Sequence, residues 1–288
     1  MVVSNAALTL ARLTLVAEQD SEELRPKLSR AFTSLCKGIS ENFDYRKSTL
    51  AMQCISMMLQ NQVSAYHFQE GTVLTEDLKH RIITQFHIDT LLSSVKLRST
   101  RLESQIEDKH SAMQYRGLCR LFSSILTMHR PKIGGRYHIV LPALQALLRC
   151  LFIPYSKSPS SSGPSSAFGE SDAAAYARLL STLCDPTVSA VTRAKKRSRT
   201  ELNDATKKAR SIAGQHLPSL IMEYCRCQLK GKLTPETRAA LNPGLWVILG
   251  VMRPEVMRTM NTAMDSSSRS AFKVLYDDWK RFGRWEGG

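Results

Sequence analysis

Acidic residues are missing from a long central part of the chain: no Asp or Glu occurs between Lys109 and Gly169. Over its 288 residues the chain has 40 Lys and Arg against 25 Asp and Glu, a formal net charge of +15. Because the positive charge is clustered, it favours contact with nucleic acid or with acidic partners. The alternative is a nuclear or organellar protein whose charge only keeps it soluble.

Three further absences exclude other classes of protein. No run of about 18 apolar residues occurs, so we expect no membrane contact. The N-terminus lacks the charged start, apolar block and cleavage site that mark a secretory signal. The seven Cys residues are scattered through apolar stripes, which predicts that they are reduced core residues. The close pair Cys225 and Cys227 lacks the second pair that a tetrahedral metal site needs.

Catalytic patterns are also missing. His129 and His138, with Arg130 and Arg136, suggest a nuclease or phosphotransfer site, but such a centre usually needs a carboxylate, a metal constellation or a phosphate loop. The segment around them has no acid, and no Gly-rich loop ends in Gly-Lys-Ser/Thr. His129 falls on an apolar stripe and is expected to be a hydrogen-bonded core residue. We therefore expect no enzyme, no cofactor, no metal and no small-molecule substrate.

The acid-free part contains a strong helical signal between Met113 and Phe152. Its first apolar stripe comprises Tyr115, Leu118, Cys119, Phe122, Ile125, Leu126 and His129. Pro131 and the pair Gly134–Gly135 are expected to end this helix. A second helix follows, with Leu144, Leu147, Leu148 and Leu151 on its inward face. Pro142 either opens it or kinks it, and the two together form an α-hairpin.

The outward faces of this hairpin carry candidate contact residues for RNA or for a partner protein. They are Arg116, Arg120, Arg130, Lys132 and Arg136. The glycines of the turn also expose backbone N–H groups that suit phosphate. The alternative is that the glycines only make the turn and the arginines pair with acids on neighbouring helices.

Residues 1–153 are predicted to be helical throughout. Besides the hairpin, four stripes keep helical spacing: Ala7 to Leu15, Leu24 to Leu35, Leu50 to Met58 and Ile88 to Val95. Gly38 is the expected end of the second stripe, Gly71–Thr72 separates the third from the fourth, and Asp108 is the expected cap of the Tyr115 helix. Because the chain begins in mid-pattern, a fragment of a longer protein is expected. The fold class is all-α, an irregular HEAT/armadillo-like solenoid of antiparallel helix pairs.

Residues 154–213 are predicted to be a mostly disordered insertion, rich first in Ser and Pro and then in basic residues. One short helix, 173–184, is expected inside it. Lys195, Lys196, Arg197, Arg199, Lys207, Lys208 and Arg210 form the basic part. The two Lys pairs are ten residues apart, which matches a bipartite nuclear localisation signal. The alternative is a solvated basic helix, since Glu201 and Asp204 interleave.

Residues 214–288 are predicted to be helices that complete the same domain. One contains Leu217, Leu220, Ile221 and Tyr224 and ends at Gly231, and the next runs from Leu241 to Leu249, interrupted by Pro243. The last has Ser266 to Ser268 as caps, one face made of Phe272, Leu275, Tyr276, Trp279 and Phe282, and Gly283 at its end.

Several ordered runs of residues resemble a known family. They are Tyr115–Leu118, His129–His138, Leu147–Phe152, Leu241–Leu245 and Phe272–Trp285. Together they resemble the C-terminal domain of the nucleolar Urb/Npa family, the unhealthy ribosome biogenesis and nucleolar pre-ribosomal-associated proteins, from roughly Glu22 to the end. Members are usually longer, with an extended N-terminal solenoid.

The resemblance implies a nucleolar scaffold of early large-subunit (pre-60S) particles that takes part in pre-rRNA processing. Its implied partners are a second large solenoid protein, a DEAD-box RNA helicase, small nucleolar factors and pre-rRNA. The alternative hypothesis is a nuclear protein–protein interaction module of helical-repeat type that does not bind RNA directly.

Overall fold

The computed structural model describes residues 21–41, 44–64, 83–104, 110–155, 168–185 and 199–283. In these ranges the chain forms eleven α-helices, one π-helical turn and two strands of two residues each. The prediction of an all-α protein is therefore confirmed. No helix in this part of the chain is both long and apolar enough to cross a membrane.

The helices are labelled in chain order. They are α1 (Ser21–Glu41), α2 (Tyr45–Ser64), α3 (Gln85–Ser104), α4 (Ser111–Ile133), α5 (Tyr137–Cys150), α6 (Glu170–Cys184), α7 (Arg199–His216), α8 (Pro218–Lys230), α9 (Pro235–Val251), α10 (Pro254–Ala263) and α11 (Ser266–Asp278). A π-helical turn, Trp279–Gly283, follows α11. Strands β1 (Ile153–Pro154) and β2 (Gly231–Lys232) pair antiparallel, with Ile153 opposite Lys232.

The predicted hairpin corresponds to α4 and α5. All seven residues of the first predicted stripe are buried, and so are the four leucines of the second. The burial of His129 is thus confirmed. The interval from the end of α4 to the start of α5 is three residues, as expected of a tight connection between two helices.

The prolines behave differently from the prediction. Pro131 lies inside α4, which continues to Ile133, and the departure from helical geometry falls at His129, with φ −130° and ψ 26°. Pro142 lies inside α5, five residues after its first residue, so it does not open that helix. Pro243 also lies within α9 and does not interrupt it. Each proline removes one backbone donor; α5 and α9 continue through theirs, whereas α4 is kinked at His129, two residues before Pro131.

Two compact groups of residues are present. The first comprises the described residues within 1–98 and 120–140, and the second comprises the described residues within 99–119 and 141–288. The division of the chain at residues 153 and 213 remains a prediction. The solenoid arrangement also remains a prediction.

In the first group, α1 packs against α2. Phe32, Cys36 and Ile39 of α1 are buried, and Gly38 lies inside the helix, three residues before its end. Gly38 was therefore wrongly predicted to end it. From α3, the imidazole of His87 lies 2.8 Å from the hydroxyl of Ser29 and its ring centroid lies 5.1 Å from that of Phe32.

In the second group, α6 packs closely along α9, and α7 packs against both. A Cβ placed on Gly244 of α9 would lie 2.6 Å from the Cα of Ala177 in α6, so only glycine permits this approach. The hydroxyl of Tyr176 donates a hydrogen bond to the carbonyl oxygen of Leu144 at 2.7 Å. The neighbouring helix α8 packs against α10 and α11.

The C-terminal helices match the prediction with three corrections. Helix α8 is capped by Gly231 and buries all four predicted residues. Helix α10 was not predicted. Asp265, rather than a serine, caps α11 by accepting from the backbone N–H of Ser268, and Phe282 is 59% exposed instead of lying on a buried face.

The predicted insertion contains two helices instead of one. Helix α6 begins at Glu170, slightly earlier than predicted, and α7 was expected to be part of the disordered segment. Phe168 is buried and packs on Tyr115, with ring centroids 5.0 Å apart. Residues 156–167 and 186–198 lie outside the described residues, as do Ala7 to Leu15, Gly71–Thr72 and Asp108.

Candidate RNA- or partner-contact surface

The turn between α4 and α5 depends on one glycine. Gly135 has φ +80°, a backbone conformation that other residues rarely adopt. The backbone N–H of Arg136 donates to the carbonyl oxygen of Ile133 at 2.8 Å, which closes a four-residue turn with Gly135 in its third position. This turn fixes the backbone position from which the side chain of Arg136 extends.

Arg136 is held by a carboxylate of α3. Its Nε and Nη2 donate to the two carboxylate oxygens of Asp89 at 2.9 and 3.1 Å, the bidentate geometry that suits a guanidinium. Gln85 supports the pair by donating to Asp89 at 2.8 Å and to the carbonyl oxygen of Lys132 at 2.9 Å. The hydrogen bonds from Arg136 hold the pKa of Asp89 below its usual value.

Lys132 faces the same end of α3. Its ammonium donates to the carbonyl oxygen of Ile83, and burial lowers the pKa of Lys132. A backbone acceptor satisfies one of its three donors without neutralising its charge. Lys132 is thus anchored to the start of α3, while part of its side chain stays accessible.

Arg116 belongs to the second group of residues and pairs with Asp172 of α6. The distance from its Nε to the carboxylate is 3.4 Å, and the carboxylate also accepts the backbone N–H of Gly169 at 3.0 Å, which caps α6. The Asp172 side chain is only 5% exposed, whereas that of Arg116 is 40% exposed. Burial raises the pKa of Asp172, and the Gly169 N–H and Arg116 oppose that rise.

Arg120 is the most open of the candidates. Arg120 is exposed, and within the described part of the chain its guanidinium has no carboxylate partner. Arg130 is half-exposed in the last turn of α4. Arg120 is therefore well placed to meet an external anion.

Arg149, in the last turn of α5, holds a second carboxylate cluster. It donates to both oxygens of Glu103 at 2.7 and 2.9 Å and to Glu223 at 2.9 Å. Glu103 lies at the end of α3 and Glu223 lies in α8, 46 and 74 residues away from Arg149. Helical spacing gives no signal for partners that distant, so sequence analysis missed this cluster.

The expected contact residues therefore divide into two kinds. Arg116 and Arg136 pair with acids on neighbouring helices, as the alternative interpretation of the hairpin proposed. Arg120 and Arg130 remain candidates for contact with RNA or a partner, and Lys132 combines an internal hydrogen bond with a free charge.

The basic segment is described only in part. Lys195, Lys196 and Arg197 lie outside the described residues, and Arg199 begins α7. Lys207 and Lys208 are exposed on α7, while Arg210 pairs with Asp185 at 2.6 Å. Its C-terminal half thus lies on a helix, as the alternative interpretation of this segment expected.

The cysteines are core residues. All seven are free and buried. Burial raises the pKa of Cys150, Cys225 and Cys227 to about 12, so these thiols stay protonated and unreactive at neutral pH. Among the described residues, no group of three or more His, Cys, Asp or Glu is arranged to hold a metal ion.

The two histidines near the turn do not converge on one environment. His129 is buried at the kink of α4, whereas His138 is exposed in the first turn of α5. The arginines between them are used in part for internal ion pairs. The geometry of this turn is that of a surface element with charged side chains.

The fold and this surface define an all-α protein whose accessible cations lie on helix faces and at a helical turn. A family model, the Urb2/Npa2 family, matches residues 71–288, most of the chain. The chain belongs to this family, and with it to the proteins of ribosome biogenesis. The match begins at Gly71, later than the Glu22 suggested by the resemblance. No curated protein and no solved structure matches the chain.

Proposed function

We propose that the protein is a non-catalytic scaffold of early large-subunit (pre-60S) particles that contributes to pre-rRNA processing. The observation that carries the proposal is the family match over residues 71–288. The proposed setting is a nucleolar complex that also contains a second large solenoid protein, a DEAD-box RNA helicase and small nucleolar factors. Helical surfaces provide the contacts with these proteins.

Within this function, Arg120 and Arg130 are the proposed contacts with pre-rRNA. Both are cations of α4, and guanidinium groups bind phosphate oxygens with paired N–H donors. Lys132 adds a third charge at the turn, while Arg136 holds the turn in place through Asp89. Because these contacts reach the backbone rather than the bases, binding is expected to depend on salt and little on sequence.

The test is the salt dependence of RNA affinity. Arg120→Gln together with Arg130→Gln is expected to weaken binding of a single-stranded RNA and to reduce the slope of log K against log salt by roughly 0.7 for each lost phosphate contact. Lys37→Gln together with Lys47→Gln removes the same charge from exposed positions of the same group of residues and is the matched control. Equal slopes for the two double variants would contradict RNA contact at α4.

A second candidate function is a helical module that contacts only proteins. The ion pairs of Arg116 and Arg136 favour it, because charges that are neutralised within the chain contribute less to attraction of RNA. Affinity purification of the tagged full chain with RNA crosslinking separates the two functions. The scaffold proposal predicts crosslinked pre-rRNA, while a protein-only module predicts the partner proteins without it.

A further inference from the structure

An open groove lies between α10 and α11 on the second group of residues. Its volume is about 470 Å³. It is lined by Pro254, Met257, Arg258 and Asn261 of α10 and by Arg269, Phe272, Lys273 and Tyr276 of α11. None of these residues was among the candidate sites inferred from the sequence, because α10 itself was not predicted.

The floor of the groove is apolar. Met257, Phe272 and Tyr276 line it, with Pro254 at one end. Apolar surface that stays accessible beside charged residues is typical of sites that bind another protein. The floor therefore suits the aliphatic side chains of a partner.

The rim of the groove is cationic. Arg258, Arg269 and Lys273 all lie on it and all are exposed. The nearby carboxylate of Glu255 lies 3.9 Å from Arg258, but both side chains are more than 70% exposed, at 79% and 71%, so solvent screens this pair and an incoming carboxylate can replace it. The rim thus offers positive charge on both helices to an acidic ligand.

The aromatic rings of the groove are not available for stacking with nucleic-acid bases. Phe272 is 6% exposed. The ring centroid of Tyr276 lies 5.9 Å from that of Phe272 and 5.5 Å from that of Trp279. The ammonium of Lys280 lies 4.5 Å from the same centroid. Single-stranded nucleic acid binds through open aromatic faces together with cations, and here Phe272 is buried and Tyr276 is only half-exposed. The combination favours a peptide.

We propose that this groove binds an acidic amphipathic segment of a partner protein as a short helix. Aliphatic side chains spaced i, i+3, i+4 enter the apolar floor, and Asp or Glu on the flanking faces pair with Arg258, Arg269 and Lys273. Helix α10 has ten residues and is about 15 Å long at 1.5 Å per residue, which accommodates two to three turns of the ligand. The inference goes beyond the proposed function, because it requires no RNA contact at α4.

The test measures binding of a labelled peptide to the full chain by fluorescence anisotropy. The probe has about twelve residues, with leucines on one helical face and glutamates on the others, as the helix-in-groove mode requires. The parent chain is expected to bind it, and Arg258→Glu together with Lys273→Glu is expected to raise Kd by about tenfold or more. The matched control, Lys207→Glu with Lys208→Glu, makes the same charge change on α7 and is expected to leave Kd within about twofold.

Two further probes distinguish the groove from general attraction between opposite charges. A peptide with every leucine replaced by serine is expected to lose binding, and a crosslinker at the centre of the leucine peptide is expected to label residues between Pro254 and Tyr276 on the parent chain. Absence of binding, equal binding of the serine peptide, or equal loss in both double variants would overturn the inference. Crosslinks outside residues 254–276 would also overturn it. So would displacement of the peptide from the parent chain by a single-stranded RNA.

Discussion

At the scale of single residues, Arg149 binds two carboxylates within the second group of residues. Its guanidinium satisfies Glu103 with two hydrogen bonds and Glu223 with a third, and these hydrogen bonds raise the pKa of Arg149 further above its ordinary value. Arg149→Met removes the arginine from both carboxylates and, among the described residues, leaves Glu223 with only Arg226, at 3.8 Å. We expect the free energy of unfolding to fall by about 1–3 kcal/mol, because the cluster is only two-thirds buried and solvent screens part of it.

Urea denaturation measures this loss, and Arg120→Met is the control. It removes an exposed cation from a helix without a carboxylate partner in the described part of the chain, and is expected to change stability by less than about 0.5 kcal/mol. Similar losses for the two variants would show that the Arg149 cluster does not stabilise the fold beyond an ordinary surface charge.

The Asp89–Arg136 pair predicts a pH dependence of stability. Arg136 holds the folded-state pKa of Asp89 below the unfolded value, so the unfolded chain binds a proton more readily. The stabilisation is therefore fully present above the unfolded pKa and is lost as the pH falls through the folded pKa. We expect the difference in unfolding free energy between the parent and Asp89→Asn to shrink steadily as the pH is lowered from 6 through about 4 and below.

Measurement of urea midpoints at several pH values checks this. Asp44→Asn is the comparison, since Asp44 is exposed near the start of α2 and pairs with no arginine side chain in the described part of the chain. A gap between parent and Asp89→Asn that stays constant down to pH 3 would show that Arg136 does not depress the pKa of Asp89.

At the scale of helices, Gly244 makes the packing of α6 against α9 possible. In an isolated helix, Gly→Ala stabilises by roughly 1 kcal/mol. At Gly244 the added Cβ would lie 2.6 Å from the Cα and 3.0 Å from the carbonyl oxygen of Ala177, which are backbone atoms that cannot rotate away. We expect Gly244→Ala to destabilise the protein by about 1–3 kcal/mol, because the two helices must separate.

Gly250 of the same helix provides the control. It is exposed, and a Cβ placed there meets no atom within 4 Å. Gly250→Ala is therefore expected to raise the melting temperature slightly, while Gly244→Ala lowers it. Two shifts of the same sign would show that the approach of α6 to α9 is looser than described.

The helices themselves were largely predictable from the sequence, and the reason is local. A stripe such as Tyr115 to His129 repeats every three or four residues, and burial of that face follows from the repeat. Helix α10 was missed because Met260 is its only buried residue, so no apolar stripe marks it, and because it begins with Pro254, a residue type that breaks helix interiors. Proline is in fact favoured in the first turn of a helix, where no backbone donor is needed.

The ion pairs were not predictable, because their partners are far apart in the sequence. Arg136 and Asp89 are separated by 47 residues, and Arg149 and Glu223 by 74. Nothing in the helical spacing indicates which acid a given arginine meets. The α10–α11 groove was missed for a different reason, because α10 itself was not predicted.

At the scale of the whole molecule, positive charge that is clustered in the sequence is partly neutralised by acids from other segments. The stretch between Lys109 and Gly169 contains no acid, yet Asp89, Glu103, Asp172 and Glu223 from flanking segments pair with its arginines. Other cations of the described residues remain exposed. Lys207 and Lys208 of α7 are among these, and they form the described half of the basic segment.

The last prediction concerns where this charge directs the protein. Lys195, Lys196, Lys207 and Lys208 have the spacing of a bipartite nuclear localisation signal, and importing receptors require such lysines to be accessible. Lys207 and Lys208 meet that requirement. Changing all four to Ala is expected to shift a fluorescent fusion of the chain from the nucleolus towards the cytoplasm.

The matched control changes four exposed cations of the second group of residues: Lys230, Lys232, Arg238 and Arg253. It removes the same charge from the same chain, so an effect of net charge alone would move both fusions equally. Nucleolar signal that is lost only in the first variant would assign targeting to the basic segment. Unchanged nucleolar signal in that variant, measured in cells depleted of the endogenous partners that can carry the protein into the nucleus, would contradict the targeting role.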